Sequence, residues 1–304
     1  MCRDLSAIVT FRELMKHQIW LLATILLLTV QNSFSQGPPI TVDAPIMLGG
    51  KTMVVQSLTE IRSTNKGTFV SIPFTYQYLP TSNSVISVSI PYVNYDFKEG
   101  YILGEDFSHG LNITSFIASK SDTLNPFVQG TNFTNGSTLG DISITGKYQL
   151  FRKDGTGKTF RIAAKTVQTL PTGEKLNLRK MSTGYYQGYV GFVTAYESLK
   201  VGFSNELGYN WAPNSFYDEF VHKLGFGLPL LKPTYPVKQL NLFFEYNGAW
   251  MFEQGEYQLL YGEGIQYAKG KFIVEAVMQF PLIQDMPDLE KHKNSVFVGG
   301  RYVF

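Results

Sequence analysis

Cysteine is almost absent, and the single Cys2 lies upstream of the apolar run Ile19 to Val30. That run follows Lys16 and His17 and leads into Gln31-Asn32-Ser33-Phe34-Ser35-Gln36. A positive head, a short apolar middle and a small-residue exit read as a secretory signal peptide over 1–35, cut after about Ser35. Translation starts at either Met1 or Met15, and both choices give the same exported chain, 36–304. That chain holds no cysteine, which excludes a disulfide scaffold, a thiol nucleophile, a zinc–thiolate site and a lipid-bearing cysteine at the cut. Charge is also scarce, at 16% of residues where soluble domains carry about 25%. With 26 Lys and Arg against 24 Asp and Glu the net charge is only +2, so a basic nucleic-acid surface is excluded. No apolar run reaches the roughly 20 residues that a spanning helix needs.

What is abundant is aromatic and small: 18 Tyr, 23 Phe and 28 Gly. From Gly50 onward, segments that alternate apolar and polar residues are separated by Gly, Pro, Asn, Asp and Lys. In the stretch Gly140 to Phe151, Ile142, Ile144, Tyr148 and Leu150 fall on one face, with Asp141, Ser143, Thr145, Lys147 and Gln149 on the other. A period of two means a strand. The same alternation opposes Leu240, Leu242, Phe244, Tyr246 and Trp250 to Gln239, Asn241, Glu245 and Asn247. Twelve such strands are expected, near 51–62, 67–79, 84–95, 138–151, 158–168, 184–196, 199–210, 218–230, 238–250, 257–268, 271–281 and 295–304.

Connections alternate as well. The long 96–137, 169–183, 211–217 and 282–294 fall on one side, and the short 80–83, 152–157, 197–198 and 269–270 on the other; the exceptions are 63–66 and 252–256, short but on the first side, and 231–237, rather long but on the second. Long loops outside and short turns inside are the pattern of a transmembrane antiparallel β-barrel. Tyr78, Tyr148, Tyr196, Tyr267 and Tyr302 lie near the short-turn ends, and Tyr92, Tyr186, Tyr209, Trp250 and Tyr257 near the long-loop ends, as two aromatic girdles would. In lipid an unpaired strand edge would cost several kcal/mol per polar group, so the sheet must close. Closure turns the apolar face outward and gives the lumen Asp141, Lys147, Arg161, Lys165, Glu206, Lys223, Glu245, Glu275 and Arg301, the expected lining of a permeation path. Both charge signs are present, which argues against strong ion selectivity. Glu263 falls on the outward face, which suggests either a bulge near Gly262 and Gly264 or a misplaced strand.

Connection 96–137 is far longer than a loop requires. Ile113, Phe116 and Ile117 recur in it at helical spacing, and two readings stand: a plug folded into the lumen, or an external loop packed on its neighbours. The chain ends in Tyr302 and Phe304, in step with Val296, Val298 and Gly300. This ending resembles the C-terminal insertion signal that the barrel assembly machinery reads by adding a strand.

Three stretches carry a family resemblance: SVISVSIPYV (Ser84 to Val93), LGDISITGKYQLF (Leu139 to Phe151) and RIAAKTVQTLPTG (Arg161 to Gly173). With the opening PIMLGGKTMVVQSL (Pro45 to Leu58), they resemble the outer-membrane barrels named for the meta-pathway of phenol degradation. The resemblance implies an outer-membrane channel or transporter passing small hydrophobic or aromatic solutes, with lipid and lipopolysaccharide around it. The extended 96–137 departs from that pattern.

Enzymatic chemistry finds no support. His109, His222 and His292 are followed by Gly-Leu, Lys-Leu and Lys-Asn, so none makes the His-x-Ser pair of an outer-membrane phospholipase. Lys153 to Lys158 lacks phosphate-loop spacing and reads as a hairpin turn. Asp285, Asp288 and Glu290 read as a solvated acidic loop. Neither cofactor nor metal is expected. The expected function is passive uptake of small solutes; the alternative is a non-conducting barrel serving structure, adhesion or secretion.

Overall fold

A computed structural model of the chain describes residues 40–44, 50–65, 67–97, 135–173, 175–176, 179–180, 186–211, 218–231, 238–252, 255–286 and 291–304. The described strands are β1 (Thr52–Thr64), β2 (Gly67–Thr81), β3 (Ser84–Phe97), β4 (Asn135–Leu139), β5 (Ile142–Gly155), β6 (Lys158–Leu170), β7 (Lys175–Leu176) and β8 (Arg179–Lys180). They continue as β9 (Gln187–Ser198), β10 (Gly202–Trp211), β11 (Glu219–Pro229), β12 (Lys238–Met251), β13 (Glu256–Lys269), β14 (Phe272–Asp285) and β15 (His292–Val303). β1 pairs with β2 on one side and with β15 on the other, from Val54 opposite Val303 to Thr64 opposite His292. This closes the sheet into a twelve-stranded antiparallel barrel carrying one extra strand, β4. β7 and β8 form a separate small hairpin in the connection from β6 to β9.

The barrel has its polarity inside out. Along β3, Ile86, Val88, Ile90 and Tyr92 are exposed on the outside, whereas Ser87 and Ser89 between them are buried within. The short connections 82–83, 156–157, 199–201 and 270–271 gather at one end, hereafter the short-turn end. Gly157 and Gly270 adopt the left-handed backbone there that tight turns demand. Lys153 to Lys158 lies at the β5–β6 hairpin, as its composition implies.

One expected strand, 138–151, is divided by a bulge. Leu139 lies opposite Tyr92 and Ser143 opposite Ser89, so three residues face two. The cause is Pro91: its carbonyl accepts from the Gly140 N–H at 2.8 Å, but it has no N–H to return. An extra residue in the partner strand absorbs the broken exchange.

The bulge expected near Gly262 and Gly264 does not occur. Both glycines keep regular register with β12 and β14, and the slip lies between Leu259 and Leu260, opposite Ile283 and Pro281. Glu263 therefore belongs to an ordinary strand and points outward midway along β13, where the Tyr261 hydroxyl donates to its Oε1 at 2.7 Å. A carboxylate on the outer face at mid-depth is unfavourable, though less so than a lysine or arginine. Glu263→Leu should accordingly stabilise the barrel in lipid by about 1–2 kcal/mol. Urea titration of the folded, heat-modifiable band in liposomes reads this, and an unchanged midpoint would mean that the carboxylate is solvated.

Candidate functional site

Alternation fixes which side chains can meet inside the barrel. Lys147 on β5, Lys165 on β6, Glu206 on β10, Lys223 on β11, Glu245 on β12, Glu275 on β14 and Arg301 on β15 all turn inward. The structure brings most of them around a partner that the sequence reading did not single out, a strap formed by residues 40–44.

The strap is held at two points. At the first, the Asp43 carboxylate bridges two ammonium groups, Oδ1 at 2.7 Å from Lys147 Nζ and Oδ2 at 3.1 Å from Lys165 Nζ. Lys147 also donates to the Ala44 carbonyl at 2.9 Å. Burial alone would favour a neutral Asp43, but the two lysines outweigh it and hold the carboxyl well below the usual carboxylate range. Lys165 is shared with Glu206 Oε1 at 2.8 Å, which also accepts from the Tyr189 hydroxyl at 2.8 Å. Gly208 leaves room for that ring: a Cβ there would stand 2.2 Å from the Tyr189 ring atoms.

At the second point the carboxylate belongs to the barrel. Glu245 accepts from the N–H of Ile40 at 2.6 Å, from the N–H of Thr41 at 3.1 Å and from the Thr41 hydroxyl. Asn247 and Gln279 donate to that hydroxyl at 3.1 and 3.2 Å. Ile40 itself packs with Phe243, Val277 and Phe297, a buried apolar cluster supported by Leu58. On their own faces Phe243 lies between Asn241 and Glu245, Val277 between Glu275 and Gln279, and Phe297 next to Ser295.

Other expected lumen residues stand apart. Arg301 grips Glu275 through Nε and Nη2, both at 2.8 Å. Lys223 is fully buried opposite Glu206 in register. Asp141 sits in the β4–β5 bulge and accepts from the Gly173 N–H at 2.8 Å, fastening a turn near the long-loop end. Arg161 lies toward the short-turn end, its Nε donating to Thr159 at 3.3 Å. Ile113, Phe116 and Ile117 of the expected plug, like His109, Asp288 and Glu290, lie outside the described residues. Tyr302 and Phe304 face outward with ring centroids 4.8 Å apart, and the Phe304 N–H donates to the Met53 carbonyl at 2.9 Å.

Below the strap, toward the short-turn end, is a cavity of about 210 Å³. Lys147 and Lys165 line it beside Asp43, Arg301 lines it beside Glu275, and Val54, Val85 and Val303 form an apolar patch. Among the described residues no cluster of His, Cys, Asp and Glu could hold a metal ion.

Among solved structures, the fold is similar to an outer membrane channel from Pseudomonas putida F1, with 12% identity and a TM-score of 0.53 over 88% of this chain and 100% of that one. The KdgM porin shares 7% identity at a TM-score of 0.45 over 83% of this chain and 99% of its own. The β domain of the Bordetella autotransporter BrkA shares 10% identity at a TM-score of 0.43 over 84% and 100%. No family model matches the chain, and no curated protein sequence does. The likeness therefore shows the architecture of an outer-membrane barrel and does not show the phenol meta-pathway family.

Proposed function

We propose that the chain is an outer-membrane channel for passive uptake of small solutes, hydrophobic or aromatic in character, and that the strap 40–44 sets its resting state. The observation that carries this reading is a closed barrel in which Lys147, Lys165 and Glu245 hold a five-residue segment of its own chain inside the lumen. A barrel built only for rigidity could fill its centre with apolar side chains, as small barrels do. Here the occupant is held largely by polar contacts, which water or a solute can replace.

The resemblance of Ser84 to Val93, Leu139 to Phe151 and Arg161 to Gly173 to the meta-pathway barrels supports the solute class. In this reading residues 1–35 direct export, the assembly machinery recognises the Tyr302 and Phe304 ending, and lipid and lipopolysaccharide surround the outward face. Lys147, Lys165, Glu206, Lys223, Glu245, Glu275 and Arg301 line the path, with Asp141 and Arg161 toward its two ends.

A second reading, a non-conducting barrel whose role lies in its outer loops, is favoured by the apolar cluster of Ile40, Phe243, Val277 and Phe297. Reconstitution separates the two. Proteoliposomes containing the full chain should pass small aromatic solutes faster than protein-free liposomes. Absence of flux both in the wild type and after release of the strap would leave the non-conducting reading standing.

A further inference from the structure

We propose that Lys147 and Lys165 form a carboxylate-binding station, occupied at rest by Asp43, and that the preferred solutes are small monocarboxylates with an apolar body. The inference rests on the channel reading and names the solute class of that site. Among the described residues Asp43 is the only carboxylate on Lys147, at 2.7 Å, whereas Lys165 keeps Glu206 when Asp43 departs. Departure of the strap thus leaves the Lys147 ammonium without a counter-charge inside the barrel. An unpaired charge there is strongly unfavourable, so release is easiest when another anion takes the vacated place.

The cavity below the strap sets the rest of the ligand. Its cationic corner is the station itself, Arg301 being paired with Glu275, and next to it toward the short-turn end Val54, Val85 and Val303 form an apolar patch, Val85 standing beside Lys147 in register. One end suits a carboxylate and the other an apolar body, the arrangement by which mostly apolar sites orient a ligand through a few polar groups. A neutral solute of equal size gains the apolar contact but supplies no charge to Lys147. A carboxylate binds the strap-released state better than the strap-held one, and that difference is what shifts the population.

The test uses the full chain in planar bilayers, with benzoate and its neutral isostere benzamide as probes. Millimolar benzoate should alter the single-channel current, by occupying the station, and benzamide should not. Under a sodium benzoate gradient the reversal potential should show benzoate passing in preference to sodium. Lys147→Gln should lower that preference about tenfold, the effect of losing roughly 1.4 kcal/mol of interaction, while Lys147→Arg retains it. A shift of the folded band on heating verifies that each variant has formed its barrel. If benzoate and benzamide act alike, or if Lys147→Gln keeps the preference, the station is only a clasp for the strap and the inference falls while the channel stands. If neither the wild type nor Asp43→Asn carries current, the channel reading fails and the inference goes with it.

Discussion

Single-channel conductance should rise at least about tenfold when Asp43→Asn and Glu245→Gln are combined, because the strap then loses both of its points of attachment. The two substitutions act differently. Asp43→Asn leaves Lys147 facing an uncharged amide and Lys165 with Glu206 alone, and losing one partner of a buried pair costs at most about 3–5 kcal/mol. With the strap out, the lysines are without Asp43 in the wild type and the variant alike, so the substitution penalises the strap-held state alone. After Glu245→Gln the new amide oxygen can still accept from the strap's N–H groups, but without the charge that strengthens those bonds by roughly a factor of two. Because one short segment spans both points, either attachment keeps the other close. Each single change should therefore open the channel much less than the pair does. Equal conductance in the wild type and the double variant would show that the strap does not control passage.

Acid should not substitute for the Asp43 change. Asp43 titrates below its ordinary value, so its contribution to closure is complete above the ordinary carboxylate pKa and fades only as the pH falls beneath it. Lys147, Lys165 and Glu206, the charged groups that contact it, come from β5, β6 and β10. In a Glu245→Gln background, where Asp43 is the strap's remaining carboxylate attachment, conductance should stay flat from neutral pH down to about 5.

The strap escaped the sequence reading for a physical reason. Its hydrogen bonds to Glu245 join residues 205 and 204 positions apart, and five residues show no periodicity that could announce a docking site. The barrel was legible because each strand repeats the same two-residue rule, so Ser87 and Ser89 sort from Ile86 and Val88 without knowledge of their neighbours. The inward placement of Lys165, Glu206 and Glu245 follows from that rule, but their convergence on one short strap depends on closure of the whole sheet. One signal was present. Phe243, Val277 and Phe297 are apolar residues with polar neighbours on the same inward face, and three such side chains call for an apolar partner inside the lumen, which Ile40 supplies. The Pro91 bulge left a similar trace, since a proline within a paired strand withholds a ladder donor.

Lys165 is the hinge of the charge arrangement, and Lys165→Met should lower barrel stability by about 3–5 kcal/mol. Its ammonium lies 2.8 Å from Glu206, 3.1 Å from Asp43 and 5.4 Å from the centre of the Tyr189 ring. Met fills similar space but removes the ammonium that touches the fully buried Glu206, leaving it only Lys223, opposite in register. Adding Glu206→Gln to that background should recover part of the loss, because the amide oxygen can still accept from the Tyr189 hydroxyl and the carboxylate that Lys165 balanced is gone. Glu206→Gln alone should be mild, since Asp43 stays on Lys165. The four unfolding midpoints thus make a double-mutant cycle with a coupling of about 2 kcal/mol, within the range expected for groups in one network. Strict additivity would mean that water, rather than Lys165, neutralises Glu206. The lumen around the strap would then be wet at rest, and Asp43 would hold its place by geometry more than by charge.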